Sequence, residues 1–146
     1  MKNRLLNLVV VTLCLTLLPA MAQALSVYQV NAVMTYGGQL KADAAFVILE
    51  NDTSRYEEHG KGGYSLVLSV QENAAGSYTV NAQVYADQGK GQELLATPSV
   101  TLEKQQPASV TFDSDVVGRV ELQLTLVEHA EVDDAELKDC KYVECE

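Results

Sequence analysis

The sequence has 146 residues and a mass of 15.9 kDa, and 47% of its residues are hydrophobic. This length is too short for two ordinary domains, and the apolar content is too high for a disordered chain. Twenty acidic residues outweigh ten basic ones, which gives a net charge of -10. Because phosphates would be repelled at long range, this charge argues against nucleic acids and anionic membrane surfaces as partners.

The first 24 residues form a predicted export signal. Lys2 and Arg4 precede an apolar run of 14 residues over Leu5–Leu18, and Ala22-Gln23-Ala24 has the small-x-small pattern that signal peptidases recognise. The run is shorter than the roughly 20 residues that a membrane-spanning helix needs. The sequence therefore predicts a bacterial periplasmic or secreted protein, with no membrane insertion after the signal is removed.

Removal of the signal would leave one domain with a short appendage. Cleavage after Ala24 would place the mature N-terminus at Leu25, and a mature N-terminus at Gln23 is the second choice. Residues 25–127 are predicted to form a β domain, and residues 128–146 an acidic tail with eight acidic residues and two lysines. A chain of this size can bury enough surface for one hydrophobic core without further support.

Apolar and polar residues alternate along most of the mature chain, as in half-buried strands. The pattern predicts seven strands, at Ser26–Tyr36, Ala44–Leu49, Tyr64–Gln71, Tyr78–Ala86, Leu94–Leu102, Ala108–Phe112 and Val120–Val127. The second should be more fully buried than the others, and the third and fourth should form a hairpin. Short strands with Gly-rich turns favour an all-β, antiparallel β-sandwich, and a sheet closed on itself is the alternative. The immunoglobulin subtype is not supported, because the chain lacks tryptophan and a cysteine pair between sheets.

The acidic tail has a different character from the strands. A capping-box pattern predicts a short helix over Asp134–Tyr142, although the segment can also be irregular, and its sparse apolar residues would have to dock on the sandwich. Cys140 and Cys145 are predicted to form a local disulfide bond, because such a pair closes in an oxidising compartment. A reactive dithiol is less favoured because the C-x-x-C spacing is absent, and a metal site formed with His129 is less favoured because an oxidising compartment favours the disulfide.

The longest polar interruption between predicted strands is Asn51–Gly63. Loops this long within a compact domain are uncommon and are either functional or mobile. The segment is therefore a candidate binding loop, although a solvated connection is the simpler alternative. The candidate binding residues are those whose side chains make directional hydrogen bonds, namely Arg55, Tyr56, Glu57, Glu58, His59 and Lys61.

No catalytic or cofactor-binding pattern occurs in the sequence. The two histidines, His59 and His129, lie outside any nucleophile-elbow or metalloprotease motif. Asp113-Ser114-Asp115 is similar to the alternating carboxylates of a calcium loop, but the twelve-residue spacing is missing, so a tight turn is predicted. We therefore expect a non-enzymatic protein that holds no metal and no cofactor.

The segment Leu94–Phe112 resembles part of the bacterial outer-membrane secretins, in which a strand ending in (S/T)-P leads through a polar turn to a second strand. Small periplasmic β domains of unknown role have similar strand pairs. The chain continues as Asp113-Ser114-Asp115 where secretins usually have glycine, and it is too short for a secretin pore. The resemblance implies an envelope β-hairpin that can associate by strand pairing, and no secretin activity. It depends on Thr97, Pro98, Gln106, Ala108 and Ser109.

Three functions are compatible with these patterns. The first is a non-enzymatic envelope protein that binds a protein partner or assists assembly, and the acidic tail favours a basic partner. The second is a small-molecule or metal-binding protein that uses Glu57, Glu58, His59 or the tail carboxylates. The third is an inhibitor of a periplasmic or extracellular hydrolase.

Overall fold

The computed structural model describes residues 24–132. Most of the predicted export signal, the predicted helix over Asp134–Tyr142 and the predicted Cys140–Cys145 disulfide lie outside the described residues. The described part contains nine strands, and a 3₁₀ turn at Ala74–Gly76. The strands are β1 (Leu25–Tyr36), β2 (Gln39–Leu49), β3 (Ser54–Glu58), β4 (Gly63–Glu72), β5 (Ser77–Asp87), β6 (Gln92–Ala96), β7 (Ser99–Glu103), β8 (Pro107–Ser114) and β9 (Gly118–Val132).

Two antiparallel sheets pack against each other, which confirms the predicted β-sandwich. The first sheet has the strand order β2-β1-β9-β8. The second has the order β3-β4-β5, and β6 and β7 lie one after the other along the far edge of β5. The chain crosses between the sheets after β2 and after β7. The strand order places β1 and β9 at the centre of the first sheet. No helix within residues 24–132 is long and apolar enough to cross a membrane.

The hydrophobic core lies between the sheets and is built from alternate side chains of each strand. The stripe of β9 is completely buried, as its two-residue period predicts, and consists of Val120, Leu122, Leu124 and Leu126. The stripes of β4 and β5 belong to the same core cluster and include Leu66, Leu68, Val80 and Val84. Full burial of a large aliphatic side chain contributes about 1.5–3 kcal/mol, so these stripes are the main attachment between the sheets.

The predicted hairpin and the predicted tight turn are both confirmed. Strands β4 and β5 pair in antiparallel register from Gly63 opposite Asp87 to Glu72 opposite Tyr78. Strands β8 and β9 are joined by a turn in which Ser114 pairs with Gly118, and Gly118 has a φ of 77°, which favours glycine.

The strand pattern differs from the prediction in three places. A short strand, β3, occupies most of the segment that was predicted to be a loop. The predicted strand Leu94–Leu102 is divided into β6 and β7 at Thr97-Pro98, because proline has no N–H to donate to a strand ladder. The predicted full burial of β2 is wrong, since Phe46 and Ile48 are buried whereas Val47 is 47% exposed. The outer face of the first sheet is open to solvent, as is common for antiparallel sheets.

The hairpin that the secretin resemblance implies is also wrong. Strand β7 pairs with β5 in the second sheet, whereas β8 pairs with β9 in the first sheet. Strands β7 and β8, which the implied hairpin would pair, therefore lie in different sheets. The polar turn between them is one of the two connections by which the chain crosses from one sheet to the other.

Strand β9 continues to Val132, five residues past the predicted end at Val127. Its pairing with β1 shifts register between Gln29 opposite Glu128 and Val30 opposite Leu126, which makes Val127 the extra residue of a β-bulge. A bulge reverses which residues face the core. Even-numbered side chains face inward before it, and His129 faces inward after it, opposite Tyr28.

Alkaline pH should destabilise the domain, because burial raises the pKa of Tyr36 and of Tyr64 to about 12. The unfolded chain then loses these protons near pH 10 while the folded chain keeps them, so stability falls as pH rises from about 10 to 12. Urea denaturation at a series of pH values measures this fall. The Tyr36→Phe/Tyr64→Phe double variant should show a clearly shallower fall, and an unchanged slope would contradict the assignment.

Candidate functional site

A cleft of about 520 Å³ lies at the end of the sandwich where β4 ends. Three carboxylates line it, those of Glu50, Asp52 and Glu72, and none of its lining residues is basic. We call it the acidic cleft. Its lining residues are Glu50, Asn51, Asp52, Thr53, Ser69, Val70, Gln71, Glu72 and Asn81.

The acidic cleft exists because β3 is shorter than β4. Strand β3 pairs with β4 only from Tyr64 to Leu68, whereas β5 pairs with β4 as far as Glu72. The last four residues of β4, Ser69–Glu72, therefore have a strand neighbour on one side only. Their open side faces the connection that carries the chain from the first sheet to the second.

This connection, residues 50–53, is held in place by hydrogen bonds. The Glu50 N–H donates to the Ser26 carbonyl oxygen at 2.8 Å, and the Asp52 N–H donates to the Leu49 carbonyl oxygen at 3.1 Å. The Asp52 carboxylate also accepts a hydrogen bond from the Thr53 N–H at 2.7 Å. The second wall of the cleft is thus fixed by the backbone, so the carboxylates of Glu50 and Asp52 extend from an ordered turn.

A cluster of aromatic side chains lies behind Glu72, and we call it the Tyr–His cluster (Tyr28, Tyr78 and His129). The His129 ring stacks on Tyr28 with a centroid distance of 4.9 Å, and it meets Tyr78 edge-on at 5.7 Å. The Tyr78 hydroxyl and His129 Nδ1 are 3.2 Å apart, which is hydrogen-bonding distance. The cluster connects the end of β9 to the start of β5.

The other ring nitrogen of His129 faces Glu72. The distance from Nε2 to Glu72 Oε2 is 3.9 Å, which is too long for a hydrogen bond, and Nε2 is buried without a hydrogen-bond partner. Burial is the main cause that raises the pKa of Tyr28 and of Tyr78, and the Glu72 carboxylate raises both pKa values further. Both hydroxyls therefore stay neutral over the physiological pH range. The negative charge at this end of the sandwich comes from the carboxylates and not from the tyrosines.

The side chains of the acidic cleft are suited to bind organic cations. Carboxylates accept charge-assisted hydrogen bonds from ammonium and guanidinium groups, and Asn51 and Asn81 add amide oxygens and N–H donors. Within residues 24–132, no group of three or more His, Cys, Asp or Glu side chains is arranged to hold a metal ion. The cleft-lining residues include no nucleophile hydrogen-bonded to a general base.

The six candidate binding residues are divided between two sides of the chain. Arg55, Glu57 and His59 are joined by ion pairs, at 3.3 Å between Arg55 and Glu57 and 3.1 Å between His59 and Glu57. The Arg55 guanidinium also lies 5.9 Å from the ring centroid of Tyr85. Such exposed pairs contribute little to stability, about 0–1 kcal/mol.

The remaining three candidates do not join this group. Tyr56 faces the opposite side of β3 and packs on Phe46 and Tyr64. Glu58 lies opposite Tyr64 in the ladder, and Lys61 lies in the following turn. Successive side chains of β3 face opposite sides of the sheet, so the strand separates residues that a loop could have brought together. A binding role for all six residues stays a prediction.

Sequence reasoning missed the residues that form the acidic cleft and the Tyr–His cluster. Glu50 and Glu72 are 22 positions apart in the sequence, and only the unequal lengths of β3 and β4 bring both to one cleft. His129 was assigned to the tail because residues 128–146 are strongly acidic. The sequence carries no signal for the reversal, because the apolar residues Ala130 and Val132 stay on the even-numbered positions of the β9 stripe.

No protein family, no curated protein and no solved structure is detectably similar to this chain. The local resemblance of Leu94–Phe112 to secretins stays a prediction, apart from the hairpin that the fold contradicts.

Proposed function

We propose that this chain is an exported, non-enzymatic β-sandwich protein that binds a basic segment of a protein partner in the bacterial envelope. The observation that carries the proposal is the acidic cleft, with three carboxylates and no basic lining residue. Carboxylates on an ordered turn and a strand end favour a cationic partner, because their charges are complementary to its own.

The acidic tail begins beside the same cleft. Leu25 pairs with Val132, the last residue of β9, and the adjacent Ser26 accepts the hydrogen bond from Glu50. The segment that follows, residues 133–146, adds six acidic residues and two lysines. The carboxylates of the cleft and the acidic residues of this segment together support rapid and salt-sensitive association with a basic surface.

The alternative of a metal or small-molecule site at Glu57, Glu58 and His59 is less well supported. Glu57 is already paired with Arg55 and His59, and Glu58 faces the other side of β3. A function as a hydrolase inhibitor is compatible with the proposal if the hydrolase is the basic partner.

Affinity capture from an envelope extract tests the proposed function. The mature chain is compared with a Glu50→Gln/Asp52→Asn/Glu72→Gln variant at low and at high ionic strength, and captured proteins are identified by mass spectrometry. We expect a basic protein to be recovered at low salt, and its recovery to fall about tenfold with the variant, which corresponds to about 1.4 kcal/mol.

The matched control removes the same charge at exposed positions away from the cleft, as Glu93→Gln/Asp113→Asn/Glu121→Gln. This control should recover the partner as well as the unmodified chain does. Equal recovery by the cleft variant and the control would refute the cleft as the binding site.

A further inference from the structure

We infer that the acidic cleft receives its partner as an added β-strand, with an extended basic segment pairing along the open edge of β4 at Ser69–Glu72. This inference rests on the proposed function and specifies how the same site recognises its partner. Strand addition to a sheet edge is a common mode of peptide recognition, in which main-chain hydrogen bonds give affinity and alternate side chains give specificity.

The open edge of β4 has the correct size for such a segment. Ser69–Glu72 pair with β5 on one side and extend beyond the last pair of the β3 ladder, Ser54 opposite Leu68. Four residues at about 3.4 Å each span roughly 14 Å of edge. The cleft of about 520 Å³ lies along this stretch, so an extended segment would lie between β4 and the connection at residues 50–53.

The side chains around the edge select a basic segment. Cross-strand neighbours share a face, so alternate residues of an added strand would lie on the face that carries Val70 and Glu72, near the turn that carries Glu50 and Asp52. The other alternate residues would lie beside Ser69 and Gln71, which are polar and uncharged. Lysine or arginine at every second position therefore fits the charge of the cleft.

Three of the other four sheet edges in the described part of the chain, those of β3, β6–β7 and β8, carry features that oppose strand addition, and the fourth, β2, carries the charged residues Lys41 and Asp43. Strand β3 is short and carries Arg55, Glu57 and Glu58 along its five residues. Pro98 divides the edge formed by β6 and β7, and β8 begins with Pro107. Charged side chains, short strands and proline are common means by which natural proteins protect edges from pairing.

A second copy of this chain is a poor occupant of the same edge. It would bring its own Glu50, Asp52 and Glu72 carboxylates to the contact, together with a net charge of the same sign. Like charges at an edge repel and disfavour pairing between copies. The edge is therefore protected from self-association while it stays accessible to a basic chain.

Binding of synthetic peptides to the mature chain tests strand addition. The probe is an alternating lysine–valine peptide, and two derivatives carry N-methyl groups on one or the other set of alternate amides. All three peptides have the same charge, but each methylated set removes the donors of one edge of the strand. Isothermal titration calorimetry at low ionic strength measures their affinities.

We expect one methylated derivative to bind at least tenfold more weakly than the parent peptide and the other to bind equally well. Equal affinity of all three peptides would show attraction by charge alone, which overturns strand addition and leaves the proposed function intact. Equal weakening of both derivatives would also overturn it. A parent peptide that does not bind, or that binds the Glu50→Gln/Asp52→Asn/Glu72→Gln variant equally well, would contradict the proposed function itself.

Discussion

Leu124→Asp is expected to unfold the domain. Leu124 is completely buried at the centre of the β9 stripe, and β9 is a central strand of its sheet. Truncating a buried leucine costs about 3–5 kcal/mol, and an unpaired buried carboxylate adds several more. Since domains of this size are stable by only about 5–15 kcal/mol, the loss should exceed most of the available stability. Circular dichroism and thermal denaturation of the purified variant measure it.

Gln123→Asp is the matched control, because Gln123 is the preceding residue of β9 and faces solvent. It introduces the same carboxylate one position away on the opposite face, and it should leave the fold intact with a change within about 0.5 kcal/mol. A folded Leu124→Asp variant, or equal destabilisation by both substitutions, would contradict the assignment of the core face.

Truncation after Val132 is expected to leave a folded sandwich that binds its basic partner more weakly. The cut keeps all of β9 and removes residues 133–146, with six acidic residues and two lysines. We expect the affinity for the lysine–valine peptide to fall severalfold at low ionic strength. The loss should vanish near 1 M salt, where the Debye length is about 3 Å. Calorimetric titration at several ionic strengths measures both effects.

A cut four residues earlier, after Glu128, should have a different result. It also removes His129, whose ring stacks on Tyr28 and is within hydrogen-bonding distance of Tyr78, and it shortens the central strand of the first sheet. We expect this shorter chain to lose thermal stability, unlike the chain that ends at Val132. If the chain ending at Val132 unfolds, the tail contributes to the core and is not an appendage. If that chain binds with unchanged affinity, the tail has no role in recognition.

The two-residue period predicted the core because burial follows directly from it. The apolar stripes of β1, β4 and β5, and of β9 as far as Leu126, recur at every second residue and face the opposite sheet, as Met34, Leu66, Val80 and Leu122 do. The same rule failed at Val127, where one inserted residue turns the odd-numbered His129 toward the core. A bulge of this kind depends on pairing with β1, and no local pattern announces it.

The acidic cleft could not be predicted from the sequence, for a related reason. Strand β3 is a polar edge strand, so Ser54–Glu58 lack the apolar alternation that marks half-buried strands. Its end determines how much of β4 is open, and the turn after β2 determines which carboxylates face that opening. The charge of the protein was readable from composition, but its concentration at one strand end depends on the lengths of paired strands.

Amide chemical-shift mapping by NMR tests the central claim most directly, because it locates the bound segment on the folded chain. Titration with the lysine–valine peptide should shift the amides of Ser69–Glu72 and of residues 50–53, on both walls of the acidic cleft. The amides of β8, at Pro107–Ser114 on another edge, should stay unchanged. Shifts confined to β8, or spread evenly over the acidic surface, would contradict recognition at the acidic cleft.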